Sequence, residues 1–294
     1  MAVKDRLRRN MVLVPGADES KIQMALADSE IDSVILDLED LVAPNLKAAA
    51  RKRVQELIES GVFQEKGVEI VVRINHPDTP YFLDDIREMM AVKPDMLRIP
   101  KVESRDDVLF VDRLVRIYEQ TLGYEENTVY LMSAIESAKG VINAYEIASA
   151  CPRMIGMALS SADYAKDLKV VRTKESTELD WARGMLINSA RAAGVFVMDT
   201  SFTFPDLKAL EKESRRAKAM GFDGKTSIME EGMPGVINKA FTPSDEEIAL
   251  AQKVLSLEEQ YKASDAAFII VDGLFLDKPI VEQYRRLLRA AGKL

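Results

Sequence analysis

Between residues 10 and 228, short apolar runs alternate eight times with amphipathic stretches, and this alternation leaves few architectures open. A run at 128–135 (TVYLMSAI) is followed by Val141, Ala144, Ile147 and Ala148 at helical spacing, then by a second apolar run at 154–159. Strand, helix and strand in that order predict parallel neighbours. Four such runs come earlier, at 10–14, 33–38, 69–74 and 96–99. Each leads into a helical stretch: from about residue 20 (Ile22, Ala25, Leu26), from Pro44 to Gly61, around Phe82, Ile86 and Met89, and over 105–122, where Val108, Val111, Leu114, Val115 and Tyr118 form one stripe. Later come a helix at 177–193 closed by Gly194, a run at 195–198, a charged helix at 206–220 and a last short run at 226–228. Eight such units predict a (β/α)8 TIM barrel, whose ligand-binding loops gather at the carboxyl ends of the strands.

The barrel, taken as the catalytic domain, accounts for residues 1–240, and residues 241–294 form a C-terminal helical extension. Ser244, Asp245, Glu246 and Glu247 read as a capping box that starts a helix running to about Ala263, and Pro279 opens another to Ala291. Between them, 268–277 is apolar with one glycine. An appendix after a closed barrel must pack somewhere, and a neighbouring subunit of a homo-oligomer is the expected surface. With 294 residues and 47% hydrophobic content, the chain suits one large core. Its net charge is −8, with no basic block beyond short runs such as Arg51 to Arg53, which argues against nucleic acid and for a metal ion or small anion. The lone Cys151 cannot form an internal disulfide, so a reducing cytoplasm is the simplest compartment. No apolar run approaches the ~20 residues of a membrane span, and Met11 to Val14 is too short for a signal-peptide core.

The strand ends carry the chemistry. Barrel closure is expected to bring Glu39, Asp40, Arg73, Lys101, Glu136, Asp163, Asp199 and Lys225 to one rim. Glu136 and Asp163 follow adjacent strands, and two carboxylates converging there are a candidate site for Mg²⁺ or Mn²⁺. Arg73 and Lys101 would then neutralise carboxylates of a substrate, the set needed to stabilise an enolate or a 2-oxo acid. Asp37 alternates inward, and a structural salt bridge and a role in the site are both open to it. His76, the only histidine, sits before Pro77 in a loop, so the chemistry cannot rest on a histidine pair or triad. Neither common Gly-rich phosphate loop is present.

At these same residues the sequence resembles the citrate lyase beta subunit, within the group of HpcH/HpaI-type aldolases and citryl-CoA or malyl-CoA lyases. The likeness runs through Arg9 to Ala17 (RNMVLVPGA), Val34 to Asp40 (VILDLED), Val72 to Asn75 (VRIN), Arg98 to Lys101 (RIPK), Ala134 to Ser137 (AIES), Asp163-Tyr164 and Gly221 to Lys225 (GFDGK). The resemblance implies a TIM barrel, Mg²⁺ held by Glu136 and Asp163, and Arg73 binding the 2-oxo acid end of the substrate. It implies catalytic roles for Glu39, Asp40 and Lys101, substrate contacts from Pro15, Gly16 and Glu136, and an acid, Asp277, that completes the site of a neighbouring subunit in a trimer or hexamer. The implied reaction cleaves a citryl-like 3-hydroxy-acyl thioester, on CoA or an acyl carrier, to a 2-oxo acid such as oxaloacetate and an acetyl thioester. Other citrate lyase subunits are the implied partners. Related lyases or thioesterases acting on citramalyl-CoA or malyl-CoA, and a silent 2-oxo-acid-binding subunit, are the rival readings. Three segments depart from the family pattern. Ser160-Ser161-Ala162-Asp163 replaces Gly-Ala-Glu-Asp, Ile228-Met229-Glu230-Glu231-Gly232 follows Lys225 where Ile-His/Asn-Pro-x-Gln is usual, and Gly273-Leu274-Phe275-Leu276-Asp277 stands for Gly-Lys-Met-Val-Asp.

Overall fold

In the computed structural model, residues 3, 6–204, 206–264, 266–271, 273–291 and 293 are described, the side chains of residues 261 and 290 excepted. Eight parallel strands close into a barrel: β1 (Asn10–Pro15), β2 (Ser33–Asp37), β3 (Glu69–Arg73), β4 (Met96–Ile99), β5 (Tyr130–Ile135), β6 (Met154–Leu159), β7 (Phe196–Asp199) and β8 (Gly224–Ile228). Each pairs with its sequence neighbour, and β1 pairs with β8 through Asn10↔Lys225 to Leu13↔Ile228. The strands are buried on both faces, which is why they read as unbroken apolar runs rather than as alternating ones. Met11, Ile35, Val71, Met96, Met132, Ala158 and Met198, one from each of seven strands, pack together as the core. Their unbranched methionines fill the tapering interior.

Helix ends follow the sequence signals. Ser104 caps Arg105–Leu122 in a full capping box, and Gly123 and Gly194 end their helices in left-handed conformation. Two close approaches explain glycines near strand ends. A Cβ on Gly224 would lie 1.9 Å from the Arg8 carbonyl oxygen, and one on Gly16 would lie 2.7 Å from that of Asp37. Three elements differ from expectation. The helix expected over 141–150 is two short pieces, Ala138–Ile142 and Ala144–Ala148, parted at Asn143, whose side chain donates to the Glu103 carbonyl at 2.8 Å. A helix at Ser161–Asp167 carries Asp163, and Met233–Phe241 follows β8; neither has a long enough apolar repeat to stand out from sequence.

The chain divides into two compact units, Met1–Lys239 and Ala240–Leu294. The second contains helices Asp245–Ser256, Glu258–Ala263 and Lys278–Ala290 and an antiparallel hairpin of β9 (Ile269–Val271) and β10 (Leu274–Leu276). Val254, Leu276 and Val281 form its small core. The apolar stretch between the helices is thus a hairpin that turns at a glycine, Gly273, with φ of 76°. Among the described residues, no helix is long and apolar enough to cross a membrane.

Candidate active site at the carboxyl rim of the barrel

The site is assembled from the ends of β2 to β6. Asp37 is the register partner of Arg73, and Arg73 of Arg98. Each lies two residues beyond a core residue of its strand, Ile35, Val71 or Met96, so strand alternation turns all three toward the barrel interior. Arg73 donates from Nε to Asp37 Oδ1, and its Nη1 lies 3.0 Å from Glu39 Oε2, off the hydrogen-bonding axis. Asp37 also accepts from the backbone N–H groups of Glu39 (3.1 Å) and Leu41 (2.9 Å), which fixes the loop that presents Glu39 and Asp40. Burial works against the Arg73 charge, but Asp37 and Glu39 outweigh it and hold the guanidinium above its ordinary pKa. Asp37 is therefore an ion-pair partner of the site's central arginine.

Lys101 sits just past β4 with φ of 50°, in the left-handed region that side chains other than glycine adopt at a cost of about 1–2 kcal/mol. That backbone turn aims its ammonium at Glu39 Oε1 and, at 2.7 Å, at Asp40 Oδ2. Burial disfavours the Lys101 charge, and the two carboxylates more than restore it. Lys47 braces the same loop from below, donating to the carbonyls of Leu38 (2.7 Å) and Glu39 (2.8 Å) and to Asn75 Oδ1 (2.9 Å). Around this group lies a cavity of about 790 Å³ lined by Glu39, Asp40, Asn75, His76, Lys101 and Lys139, among others.

Glu136, just past β5, is 4% exposed, and its Oε1 has no hydrogen-bond partner among the described residues. Burial, with the nearby Glu39 carboxylate, pushes it up to about 7, against the pull of Arg98, Arg73 and Lys101. A buried carboxylate oxygen without a partner is costly unless something positive meets it. Asp163, in the first turn of helix Ser161–Asp167, lines the same cavity as Glu136, a space of about 390 Å³ that also takes in Lys101 and Ser137. The described residues contain no cluster of three or more His, Cys, Asp or Glu side chains able to hold a metal. Mg²⁺ fits such a sparse set, because it keeps several waters and is commonly held by one or two carboxylates. The two departing serines tie this turn down: Ser160 Oγ accepts from Arg98 Nη2 at 2.9 Å, and Ser161 Oγ accepts from Thr200 Oγ1 at 2.7 Å and from Arg172.

The strand ends do not all reach the rim. Asp199 follows the inward Met198 and points the other way, into the layer between sheet and helices. There it binds Arg183 through two hydrogen bonds (2.8 and 3.0 Å) and Lys225 at 2.7 Å, with Glu213 3.1 Å from Lys225. Burial would raise the Asp199 carboxyl, yet Lys225 and Arg183 hold it at about 2. Placing Asp199 and Lys225 in the site is thus corrected by strand parity: they form a structural network with no exposure. Pro15 and Gly16 line neither rim cavity; Gly16 donates its N–H to the Asp37 carbonyl at 2.8 Å, and its lack of a side chain is explained by that contact. His76 receives the Asp78 N–H at 3.3 Å in its loop. Asp277 is the N-cap of helix Lys278–Ala290, its Oδ1 accepting from the Ile280 N–H at 2.9 Å. Sequence reasoning does not single out Arg98, Lys47 or Asn75. The signal for Arg98 was available: a charge two positions after Met96 in a four-residue, wholly buried strand.

Comparison with known proteins agrees with the barrel fold. The model of the HpcH/HpaI aldolase/citrate lyase family matches residues 9–229. Citrate lyase subunit beta of Leuconostoc mesenteroides subsp. cremoris is 37% identical over 289 residues, covering 98% of this chain and 94% of that protein. Among solved structures, the protein CitE from Mycobacterium tuberculosis in complex with magnesium, acetoacetate and coenzyme A superposes with a TM-score of 0.78 at 26% identity, over 98% of this chain and 99% of the other. The citrate lyase beta subunit from M. tuberculosis complexed with oxaloacetate and magnesium superposes with a TM-score of 0.66 at 25% identity, over 83% and 100%. With its TIM barrel, its rim of paired carboxylates and arginines, and a family match over most of its length, the chain belongs to the HpcH/HpaI aldolase/citrate lyase family of lyases.

Proposed function

We propose that the chain is a cytoplasmic, Mg²⁺-dependent carbon-carbon lyase that cleaves a citryl-like 3-hydroxy-acyl thioester to oxaloacetate, or a related 2-oxo acid, and an acetyl thioester. The observation that carries this reading is the buried Glu136 carboxylate with an unpartnered oxygen, beside Arg73, Arg98 and Lys101 and opening with Asp163 onto one cavity. Glu136 and Asp163 would hold Mg²⁺ (Mn²⁺ being the alternative), which when bound supplies Lewis-acid stabilisation of the substrate oxygens. Arg73 and Lys101 neutralise the substrate's carboxylates, and Asp37 and Glu39 keep Arg73 aimed. The hydroxyl proton passes to the rim carboxylate Glu39, with Asp40 beside it, the ketone forms as the carbon-carbon bond breaks, and the electron pair moves into the thioester enolate. Protonation of that enolate falls to Asp277 of a neighbouring copy, in a trimer or hexamer whose 241–294 segments pack on adjacent subunits. The relatives named citrate lyase subunit beta support a citryl substrate and partner subunits, and the complex with coenzyme A supports a thioester handle.

The test is direct. Purified full-length protein with Mg²⁺ is offered citryl-CoA, citramalyl-CoA, malyl-CoA and carrier-bound citrate, and both the 2-oxo acid and the thioester are measured. Oxaloacetate with an equal amount of acetyl thioester, lost on chelation, is the expected result. Free CoA in place of the acyl thioester would make the enzyme a thioesterase. Tight Mg²⁺-dependent 2-oxo acid binding without turnover on any substrate would leave a silent binding subunit.

A further inference from the structure

Two guanidinium groups face the barrel interior side by side, and their charges are spent differently. Arg73 is partly engaged: Asp37 takes its Nε and Glu39 lies against its Nη1, and neither contact takes up its Nη2. Arg98 is 3% exposed and has no ion pair among the described residues. Its one hydrogen bond there runs from Nη2 to a neutral hydroxyl, Ser160 Oγ, at 2.9 Å, while Nε and Nη1 have no partner. Each terminal nitrogen carries two N–H groups, so the one hydroxyl contact on Nη2 leaves a second donor there that, paired with Nη1 or with Nε, can meet a carboxylate through two parallel hydrogen bonds. Burial and the neighbouring Arg73 charge lower its pKa to about 10 against the pull of Glu136, Asp37 and Glu39, so it carries its charge at neutral pH while making no close ion pair among the described residues.

Resting on the lyase reading above, we propose that Arg98 is the residue that selects the substrate: it receives the carboxylate of the second carboxymethyl arm, which a citryl thioester has and citramalyl and malyl thioesters lack. Arg73 and the Glu136 region then serve the carboxylate and hydroxyl on the carbon that becomes the ketone, common to all three substrates. The 2-oxo acid released is correspondingly a dicarboxylate, with its distal carboxylate on Arg98. Ser160, which departs from the glycine usual at that position, acts as a positioning residue: its hydroxyl takes one Nη2 donor and so fixes the plane in which the remaining donors of Arg98 lie.

The test compares ratios. Wild type, Arg98→Met, Arg98→Lys and Ser160→Ala are assayed on citryl-CoA and citramalyl-CoA, and their Mg²⁺-dependent affinities for oxaloacetate and pyruvate are measured by calorimetry. Arg98→Met should lower kcat/KM on citryl-CoA about 10–100-fold more than on citramalyl-CoA, the scale of a lost charge-assisted hydrogen bond. Arg98→Lys should fall between, and Ser160→Ala should narrow the oxaloacetate-to-pyruvate preference in the same direction. Removing a buried, underpaired charge should not lower the melting temperature; if it does, Ser160→Ala, which leaves the arginine in place, decides the matter. Equal losses on both substrates, or an unchanged preference in Ser160→Ala, would overturn the assignment while leaving the lyase intact. If wild type cleaves nothing yet prefers oxaloacetate, and the preference vanishes with Arg98, the lyase reading falls and the selector role stands.

Discussion

Glu136 makes opposite contributions to stability and to ligand binding. Its folded-state pKa, about 7, lies above the ordinary value of 4.5, so between those limits the folded protein binds the proton more tightly than the unfolded chain does. Its contribution is therefore most favourable below the lower limit and is lost as pH rises through the higher one. Glu136→Gln, a permanent mimic of the protonated acid, should stabilise the metal-free protein at pH 8 by up to roughly 3 kcal/mol, and the gain should vanish near pH 4.5. Mg²⁺ should reverse the order at pH 8, because ligand binding to the folded state stabilises only the variant that binds it. Urea melts with and without Mg²⁺ measure both effects, and equal stabilisation of the two proteins by Mg²⁺ would remove Glu136 from the metal site. Asp163→Asn should lose Mg²⁺ stabilisation as well, measured by the same melts. For Arg73→Lys the expectation is a loss of about 10–100-fold in kcat/KM although the charge is kept, since an ammonium cannot reach Asp37 and Glu39 as a fork does. Steady-state kinetics check this, and near-normal turnover would count against a bidentate role.

The strands of the barrel were legible because burial on both faces leaves each as a short apolar run, and the helices because stripes such as Val108, Val111 and Val115 face the core and Gly194 marks an end. The rim was legible as far as strand ends go: Arg73, Lys101 and Glu136 share one neighbourhood, and Glu136 and Asp163 one cavity. What the pattern could not convey is parity. Lys225 and Asp199 look like rim residues when only position is counted, but a single step past the inward Met198 turns the pair toward Arg183 and Glu213. Arg98 was missed for the opposite reason, its parity being visible and its charge being read as part of a motif. Loops from other units decide the remainder: no local pattern links Lys47 to Asn75, or Ser161 to Thr200. The helix cap at Asp277 separates structure from chemistry. Asparagine caps about as well as aspartate, whereas alanine costs about 1 kcal/mol. Asp277→Asn should therefore keep the stability of the protein by thermal melting, Asp277→Ala should lose some, and both should lose ~10²–10⁴-fold in turnover if the carboxyl is the proton donor. A fully active Asp277→Asn enzyme would leave that residue only its cap.

At the level of the assembled protein, the shared-site proposal makes a prediction no single subunit can meet. Asp277→Asn and Glu136→Gln subunits, each inactive alone, should regain part of the activity when co-assembled, because some mixed sites hold both native residues. Verified mixed oligomers that remain inactive would refute sharing. A different consequence follows from the pairing of β1 with β8, which joins Asn10 to Lys225. On the ribosome the first strand emerges early and its second partner late. At ~5–20 residues per second the free side of β1 waits roughly 10–40 s for β8 to be made. During that interval one edge of a strand that is apolar after Asn10 has unpaired N–H and C=O groups, the template on which nascent chains aggregate. Production of this protein should accordingly depend on how well the cell shields an unfinished barrel: the ring has no complete hydrogen-bonded seam until β8, about 200 residues after β1, has been synthesised.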